Sequence, residues 1–408
     1  MPHRVLAGHV WVYDSEIGEV RGSAEDGGIV DVLDSRGRFV GRGTYNGRSR
    51  IPVRLVTRKA EPVDKDFWRR RVQTAWGYRR ETVPDREAER VVAGEADGLP
   101  GLIVDRYGDH LVFQTTTLAM DRRLDTLVPI LCETVPHAAV IERNQDLAVR
   151  RLEGLPPRGG LVHGMSDGRV EVRIGRGRFV CHLLDRQKTG YYLDQQENYV
   201  RAMGFVRPGD RVLDAFCFEA GFGIHALLAG AARALGLDSS EAALEDARAS
   251  ASLSGVADRL ETRVGNAFDL LRALDKAGER FDFVVLDPPS FTRNKAAVEA
   301  ALRGYREIHV RALRLLPPGG RLLTFCCSHH VSGPVFRDMI AAAASDARAT
   351  LRLEATFGAA SDHPVLLGVP ETEYLKGFAL TVLENVRTQP DHAVIPPCPP
   401  DASDRNGA

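Results

Sequence analysis

The sequence predicts an α/β protein. Its C-terminal half reads as a doubly wound parallel sheet, preceded by a small α/β unit and an N-terminal all-β unit. Three observations carry this. Five short aliphatic runs after about Tyr199 alternate with helical stretches, whereas the first 62 residues are short strand-like runs punctuated by glycine. The length of 408 residues also corresponds to two to four domains at about 100 to 200 residues each. Strand–helix alternation is the signature of parallel neighbours with helices packed on the sheet faces.

Composition narrows the class. With 44% hydrophobic residues, 27% charged and a net charge of -1, the chain is globular in character. Apolar runs stay short of the 18 residues or so that a membrane span needs, and MPHRVLAGHV lacks the apolar block of a secretory signal. The six cysteines, two of them adjacent, do not form the pattern of a disulfide framework. A cytoplasmic protein with reduced thiols is expected, without membrane partners.

Residues 1–65 are the all-β unit. Ile29 to Leu33, Arg38 to Val40 and Ile51 to Val56 are strand-like, Trp11 and Tyr13 mark an earlier strand, and Gly37, Gly41, Gly43 and Gly47 supply turns. Arg36, Arg38, Arg42, Arg48, Arg50, Arg54, Arg58 and Lys59 fall between Ser35 and Ala60, with no Asp or Glu among them. A solvated sheet face accounts for such a run by itself. Interleaved with strands, it is better read as a surface whose arginines neutralise phosphates, so Arg36, Arg38, Arg42, Arg48 and Arg50 are the candidate nucleic-acid contacts.

Residues 66–185 form the mixed unit. FWRRRVQTAWGYRRE places Trp68, Val72, Ala75 and Trp76 on one helical face. Strands follow over Gly101 to Tyr107 and His110 to Thr116, and a helix over Asp121 to Thr134. Asp97-Gly98 and Gly108-Asp109 read as hairpin turns.

Residues 186–385 hold the doubly wound sheet, and the Pro-rich segment 386–408 reads as a disordered tail. In this architecture ligands sit beyond the carboxyl ends of the strands. The first predicted strand ends at Asp214 and Phe216, followed by Gly221 and Gly223, which permit close approach of a ligand to a helix start. Asp238, at the end of the second, can accept the two hydroxyls of a ribose, and Asn266, after the third, can meet an adenine edge; each also suits a helix cap. The fourth strand ends in Asp287-Pro288-Pro289-Ser290-Phe291, a stiff turn that offers an acceptor and a ring to a flat base.

The fifth strand ends in Cys326-Cys327-Ser328-His329-His330. A zinc cluster fits poorly, because neighbouring strand residues point to opposite faces. Buried small hydrophobes and a nucleophile both fit. As a nucleophile, only one cysteine of the pair can face the cleft.

These motifs together resemble the bacterial large-subunit ribosomal RNA cytosine-C5 methyltransferases of the RlmI type. Gly8-His9-Val10-Trp11, Gly43-Thr44-Tyr45-Asn46 and Ser49-Arg50-Ile51 resemble that family's PUA domain, a barrel-like RNA-binding fold. Glu95-Ala96-Asp97-Gly98 and Asp105-Arg106-Tyr107 resemble its central α/β domain. Gln187-Lys188-Thr189-Gly190, Leu193-Asp194-Gln195, Asp287-Pro288-Pro289, Asp362-His363-Pro364 and Tyr374-Leu375-Lys376-Gly377 resemble its catalytic domain, whose last strand runs antiparallel. The chain departs from the family pattern at Glu219, Ala220, Gln196 and Asn266.

The resemblance implies S-adenosylmethionine as cofactor, RNA as partner, no metal and a homodimer as a candidate oligomer. It aligns Cys327 with the nucleophile and assigns Gln195, Asp214, Phe216, Gly221, Gly223, Asp238, Asn266 and Asp287 to the cofactor site, with Phe291 toward the substrate and Asp287 also assisting catalysis. Two other readings share these strand ends: transfer to an exocyclic base amine, which needs no Cys327, and an RNA-binding assembly factor with weak turnover.

Overall fold

The computed structural model describes residues 3–145, 148–185, 189–292 and 295–385; Gln187-Lys188 and the tail expected over 386–408 lie outside the described residues. The N-terminal domain begins with α1 (His3–Leu6) and a sheet of β1 (Trp11–Val12), β2 (Ile29–Leu33), β3 (Phe39–Tyr45) and β4 (Val53–Thr57), ordered β1-β4-β3-β2 and antiparallel throughout. Its glycines have work beyond turns. At Gly43, beside a register shift between β3 and β4, a Cβ would meet the Arg54 carbonyl oxygen at 2.6 Å. Val5, Val12, Val53 and Leu55 fill a small core. The domain is keyed to its neighbour by buried Glu153, which accepts from Asn46 Nδ2 at 2.8 Å, Ser49 Oγ at 2.6 Å and Arg54 at 3.0 Å.

The central domain opens with α2 (Lys65–Thr82), capped by Asp64, whose carboxylate accepts from Phe67 N at 2.9 Å. Trp68, Val72 and Ala75 are buried, as anticipated from spacing; Trp76, expected on the same face, is partly buried, and Phe67 is buried beside them. A five-stranded sheet follows, ordered as in the chain: β5 (Ala88–Ala93), β6 (Leu102–Tyr107), β7 (His110–Thr115), then α3 (Leu118–Asp121), α4 (Leu124–Thr134), β8 (Ala139–Arg143), α5 (Ala148–Leu152) and β9 (Gly159–His163). Gly108-Asp109 closes the β6–β7 hairpin as expected, with Tyr107 opposite His110. Asp97-Gly98 does not turn a tight hairpin. Residues 94–97 wind a 3₁₀ turn, and Asp97 is held by Arg79 at 2.6 Å and by Ala93 N–H at 2.6 Å. The helix expected over Asp121 to Thr134 is α4, which begins three residues later, with the single turn of α3 ahead of it.

The hairpin β10 (Arg169–Ile174) and β11 (Gly177–His182) lies before the boundary expected at residue 185. Its inward residues Val172, Ile174, Phe179 and Cys181 share a core with Tyr107 and Val112 on one side and with Tyr199 and Phe222 on the other.

The last sheet is assembled from β12 (Arg211–Ala215), β13 (Arg233–Asp238), β14 (Leu260–Val264), β15 (Phe283–Leu286), β16 (Arg321–Cys326), β17 (Ala349–Phe357) and β18 (Lys376–Asn385), in the order β14-β13-β12-β15-β16-β18-β17. The helices are α6 (Gln196–Ala202), α7 (Gly221–Leu228), α8 (Glu241–Leu253), α9 (Ala267–Lys276), α10 (Val298–Arg314) and α11 (Gly333–Ala347). β12 to β16 run parallel, and the last strand, β18, is antiparallel to both of its neighbours, as the resemblance implied. Strands buried on both faces alternate between two cores: Val212, Phe283, Leu323 and Phe325 on one side, Leu213, Val284, Leu322 and Cys326 on the other. The strand order reverses between β12 and β15, which opens a crevice at their carboxyl ends. Among the described residues no helix is long and apolar enough to span a membrane, and no group of three His, Cys, Asp or Glu is placed to hold a metal.

Candidate active site

A cleft of about 820 Å³ lies at that crevice. Gln195, Asp214, Phe216, Gly221, Asp238, Asn266, Asp287, Phe291 and Cys327, all singled out in the sequence, line it. Gly223 sits behind the wall and donates its N–H to Asp214 Oδ2 at 2.8 Å. The β12–α7 connection that carries these groups is bent by three non-glycine residues with positive φ, Phe216 (62°), Phe218 (50°) and Ala220 (56°). Such backbone costs on the order of 1–3 kcal/mol per residue and persists where surrounding contacts dictate it. Here Cys217 N–H donates to the Leu237 carbonyl, Phe218 N–H to Asp238 Oδ2 and Ala220 N–H to the Cys217 carbonyl.

Each carboxylate is differently employed. Asp238 accepts one backbone N–H on each oxygen, from Phe218 and Ser240 at 2.9 Å, and its remaining lone pairs are available to hydroxyl donors. Asp287 Oδ2 accepts from Gln195 Nε2 at 2.9 Å, and Gln195 is itself oriented by Asn198 Nδ2 at 2.7 Å. Asp214 has one satisfied oxygen; Oδ1 is buried with no hydrogen-bond donor. Burial pushes its carboxyl up to about 8, with the Gly223 N–H opposing and Asp287 and Asp238 reinforcing the rise. Asn266 caps α9 by accepting from Phe268 N at 2.9 Å, and it also lines the cleft.

Adjacent cysteines separate cleanly. Cys326 is fully buried in the core with Leu322, while Cys327 is partly exposed, lines the cleft and packs on the opposite core. The loop behind it is pinned by Lys376, whose Nζ donates to the carbonyls of Ser328 and Val331 at 2.6 Å. Ser290 and Ser328 are bonded through their hydroxyls at 2.7 Å, which fastens the Asp287 turn to the Cys327 turn. Sequence reasoning assigned no role to Lys376, Asn198 or this serine pair; polar side chains that hold loops carry no local spacing signal. Phe291 packs its ring on Tyr305 at 4.5 Å and near Phe268 and Phe216, forming an aromatic wall beside Asn266.

The five arginines of the N-terminal domain lie outside this cleft. Their stripe is also less positive than the sequence implies. Arg42 pairs with Asp31 at 2.6 Å, Arg38 with Asp34 at 2.7 Å and Arg48 with Asp26 at 3.6 Å, and these acids come from β2 and its flanks. Arg36 and Arg50 are exposed.

The cleft's charge selects its ligand. Asp185, Asp194, Asp214, Asp238 and Asp287 line it, with no lysine or arginine among the described residues. A pyrophosphate would be repelled, whereas a ligand with a sulfonium, an ammonium and ribose hydroxyls meets acceptors throughout. The buried, donorless Asp214 Oδ1 fits such a cationic or amine-bearing group.

Comparison with known proteins agrees. A PUA-like domain family model matches residues 3–58, and an S-adenosylmethionine-dependent methyltransferase family model matches residues 169–362. Ribosomal RNA large subunit methyltransferase I of Vibrio cholerae is 36% identical over 382 residues, 92% of this chain and 96% of that protein. The protein of that name from Shewanella denitrificans is 38% identical over 380 residues, 92% of this chain and 95% of its own. In fold, a crystal structure of a putative methyltransferase complexed with SAH superposes with a TM-score of 0.81 at 17% identity, covering 93% of this chain and 97% of that one. A putative S-adenosylmethionine-dependent methyltransferase from Streptococcus mutans gives 0.80, with the same identity and coverage. The chain therefore belongs to the ribosomal RNA large subunit methyltransferase I family and is an S-adenosylmethionine-dependent methyltransferase with a PUA-like domain.

Proposed function

We propose that the protein methylates C5 of a cytosine in ribosomal RNA of the large subunit, through a covalent bond between Cys327 and C6 of the base. One observation carries this reading: of two adjacent cysteines at the end of β16, the one facing the cofactor cleft is Cys327. S-adenosylmethionine, when bound, supplies an electrophilic methyl group. Asp238 would accept its ribose hydroxyls, Asn266 its adenine edge, and Gln195, Asp214 and Asp287 its polar end, with Phe216 packing alongside and Gly221 at the floor, while Gly223 holds Asp214 from behind the wall.

C5 of a pyrimidine is a weak nucleophile, and the chain's own residues correct that. The Cys327 thiolate adds to C6, forming the Sγ–C6 bond and moving an electron pair onto C5, which takes the methyl group. Loss of the C5 proton to a base returns the electrons, the Sγ–C6 bond breaks, and the thiolate is regenerated. Asp287, across the cleft and held by Gln195, serves to hold the cytosine amino group or protonated ring nitrogen. Partly buried Lys376, whose ammonium fixes the loop following Cys327, favours the thiolate electrostatically.

RNA carrying 5-fluorocytosine tests this, because fluorine in place of the C5 proton blocks release and traps the adduct. With cofactor present, mass spectrometry should locate the adduct on Cys327. Cys327→Ala should lose at least 10³-fold in turnover, while Cys326→Ser stays within a few fold. An adduct on Cys326 would overturn the choice of residue. Undiminished turnover by Cys327→Ala would overturn the reaction class and favour transfer to a base amine.

A further inference from the structure

A second cavity, of about 470 Å³, lies where all three domains meet. Trp11 enters it from the N-terminal domain, Glu95 and Gln114 from the central domain, and His329, Glu371 and Tyr374 from the catalytic domain. It is not part of the cofactor cleft, yet Tyr191, Tyr192, Asp194 and Tyr374 line both, so the two spaces share a wall. His329 belongs to this cavity alone and stands two residues beyond Cys327.

The lining is built. Trp11 is fixed by donating Nε1–H to Glu95 Oε1 at 3.0 Å. His9, beside it in the chain, binds Glu371 at 3.0 Å and ties the N-terminal domain to the rim. His329 and Tyr374 pack ring against ring at 5.6 Å. Gln114 uses Nε2 on the Arg143 carbonyl at 2.8 Å, which leaves its amide oxygen as an acceptor.

Charge decides what fits. Glu95, Glu371 and Asp194 border the space, and the one arginine there among the described residues, Arg90, is already paired with Asp105 at 2.7 Å. A phosphate would meet carboxylates. A nucleobase would meet aromatic rings on which to stack and acceptors for its amino group.

We propose that this cavity receives the base of an unpaired nucleotide neighbouring the target in the RNA strand, stacked against Trp11, while the target itself occupies the cleft beside Cys327. The inference rests on the RNA reading above. It gives the junction of the three domains a function: the strand is gripped at two adjacent bases held in separate pockets.

The test uses labelled heptaribonucleotides with a central cytidine and an abasic residue placed at each other position in turn, with binding to the full-length protein read by fluorescence anisotropy. For wild type, an abasic residue at one position should weaken binding about tenfold, the scale of one lost base stack. Trp11→Ala should weaken the intact heptamer about tenfold and be indifferent to the abasic residue at that position, while Trp11→Phe stays within about threefold. Cofactor affinity, by calorimetry, should be unchanged in both variants. Positional dependence that persists in Trp11→Ala, or none in wild type, overturns the assignment of the cavity. Failure of wild type to bind any heptamer while still binding cofactor overturns the RNA reading along with it. Should Trp11→Ala not fold, heptamers carrying 4-thiouridine cross-linked to wild type decide: adducts on Trp11 or His329 support the cavity, and adducts confined to residues outside it refute it.

Discussion

Asp214 in the cleft at the ends of β12 and β15 and Asp362 at the junction of the central and catalytic domains are buried alike, at 1% and 0% exposure, and sit in opposite electrostatic settings. Asp362 is surrounded: Arg86 lies 2.9 Å from one oxygen, the His363 ring 2.9 Å from the same oxygen, and Arg90 N–H donates to the other at 2.8 Å. Burial would raise its pKa, but His363, Arg86 and the Arg90 amide outweigh that and hold it well below the usual carboxylate range. Among the described residues, Asp214 has one backbone N–H, no cation and two further carboxylates nearby. The lesson is that burial alone does not distinguish a binding group from a structural one. A buried acid with its donors complete holds domains together; one with a donor missing is poised for a ligand.

The largest expected effect falls on the completed site. Asp362→Asn keeps the shape and an acceptor for Arg90 N–H but leaves Arg86 and His363 without the charge they face. Removing one partner of a buried pair costs about 3–5 kcal/mol, and partial exposure of Arg86 with its second partner, Glu197, places this case at the lower end. Chemical denaturation near neutral pH should show a loss of that size. Because the folded-state pKa of Asp362 is depressed, its contribution is present above the unfolded value near 4 and is lost only as the solution becomes strongly acidic. A variant as stable as wild type at pH 7 would make Asp362 no different from Asp214.

Asp214→Asn should behave in the opposite way. Free wild-type protein holds a proton on Asp214 up to about pH 8, whereas the unfolded chain gives it up near pH 4. The stability associated with that proton is therefore complete below about pH 4 and disappears as pH rises through 8, and the variant, which cannot ionise, should melt higher than wild type at pH 8.5. It should also bind cofactor about 100-fold more weakly, the scale of a lost charged hydrogen bond. Wild type should release a proton on binding at pH 7, visible by calorimetry in buffers of different ionisation enthalpy. Binding without proton release would mean that Asp214 stays neutral and that the comparison overstates its readiness.

How much of this was legible beforehand differs by residue. The alternation of strands and helices and the placing of Asp214, Asp238, Asn266 and Asp287 at strand ends follow from periodicity and from the rule that sites gather there; the antiparallel last strand came only from the resemblance, and the strand order rests on pairings that spacing along the chain does not record. The two-residue period of a strand put only one of Cys326 and Cys327 in the cleft but not which one; resemblance chose Cys327, and the paired cores on either face of β16 agree. The charge state of Asp214 was not legible, because it depends on which oxygen finds a donor in three dimensions. Nor was the second cavity, whose walls are separated by hundreds of residues in the chain. The pairing of Arg38, Arg42 and Arg48 was hidden for a related reason: counting charges along one segment cannot see carboxylates delivered by the strand paired beside it.

That last point yields the smallest and most discriminating prediction. Arg42 donates to both oxygens of Asp31, at 2.6 and 3.1 Å, and lowers its pKa, while Arg36 and Arg50 have no acidic partner among the described residues. An arginine committed to a carboxylate displaces few counterions when RNA approaches; a free one displaces about one. Arg36→Ala or Arg50→Ala should thus lower the slope of log affinity against log salt by about 1, and Arg42→Ala by less. Asp31→Asn sharpens the contrast, since it releases Arg42. RNA affinity should rise by roughly threefold, consistent with an exposed pair worth under about 1 kcal/mol, and the salt slope should steepen. If Arg42→Ala weakens binding as much as Arg36→Ala and Asp31→Asn changes nothing, the pairs open on contact with RNA, and the unpaired sequence count was the better guide to this surface after all.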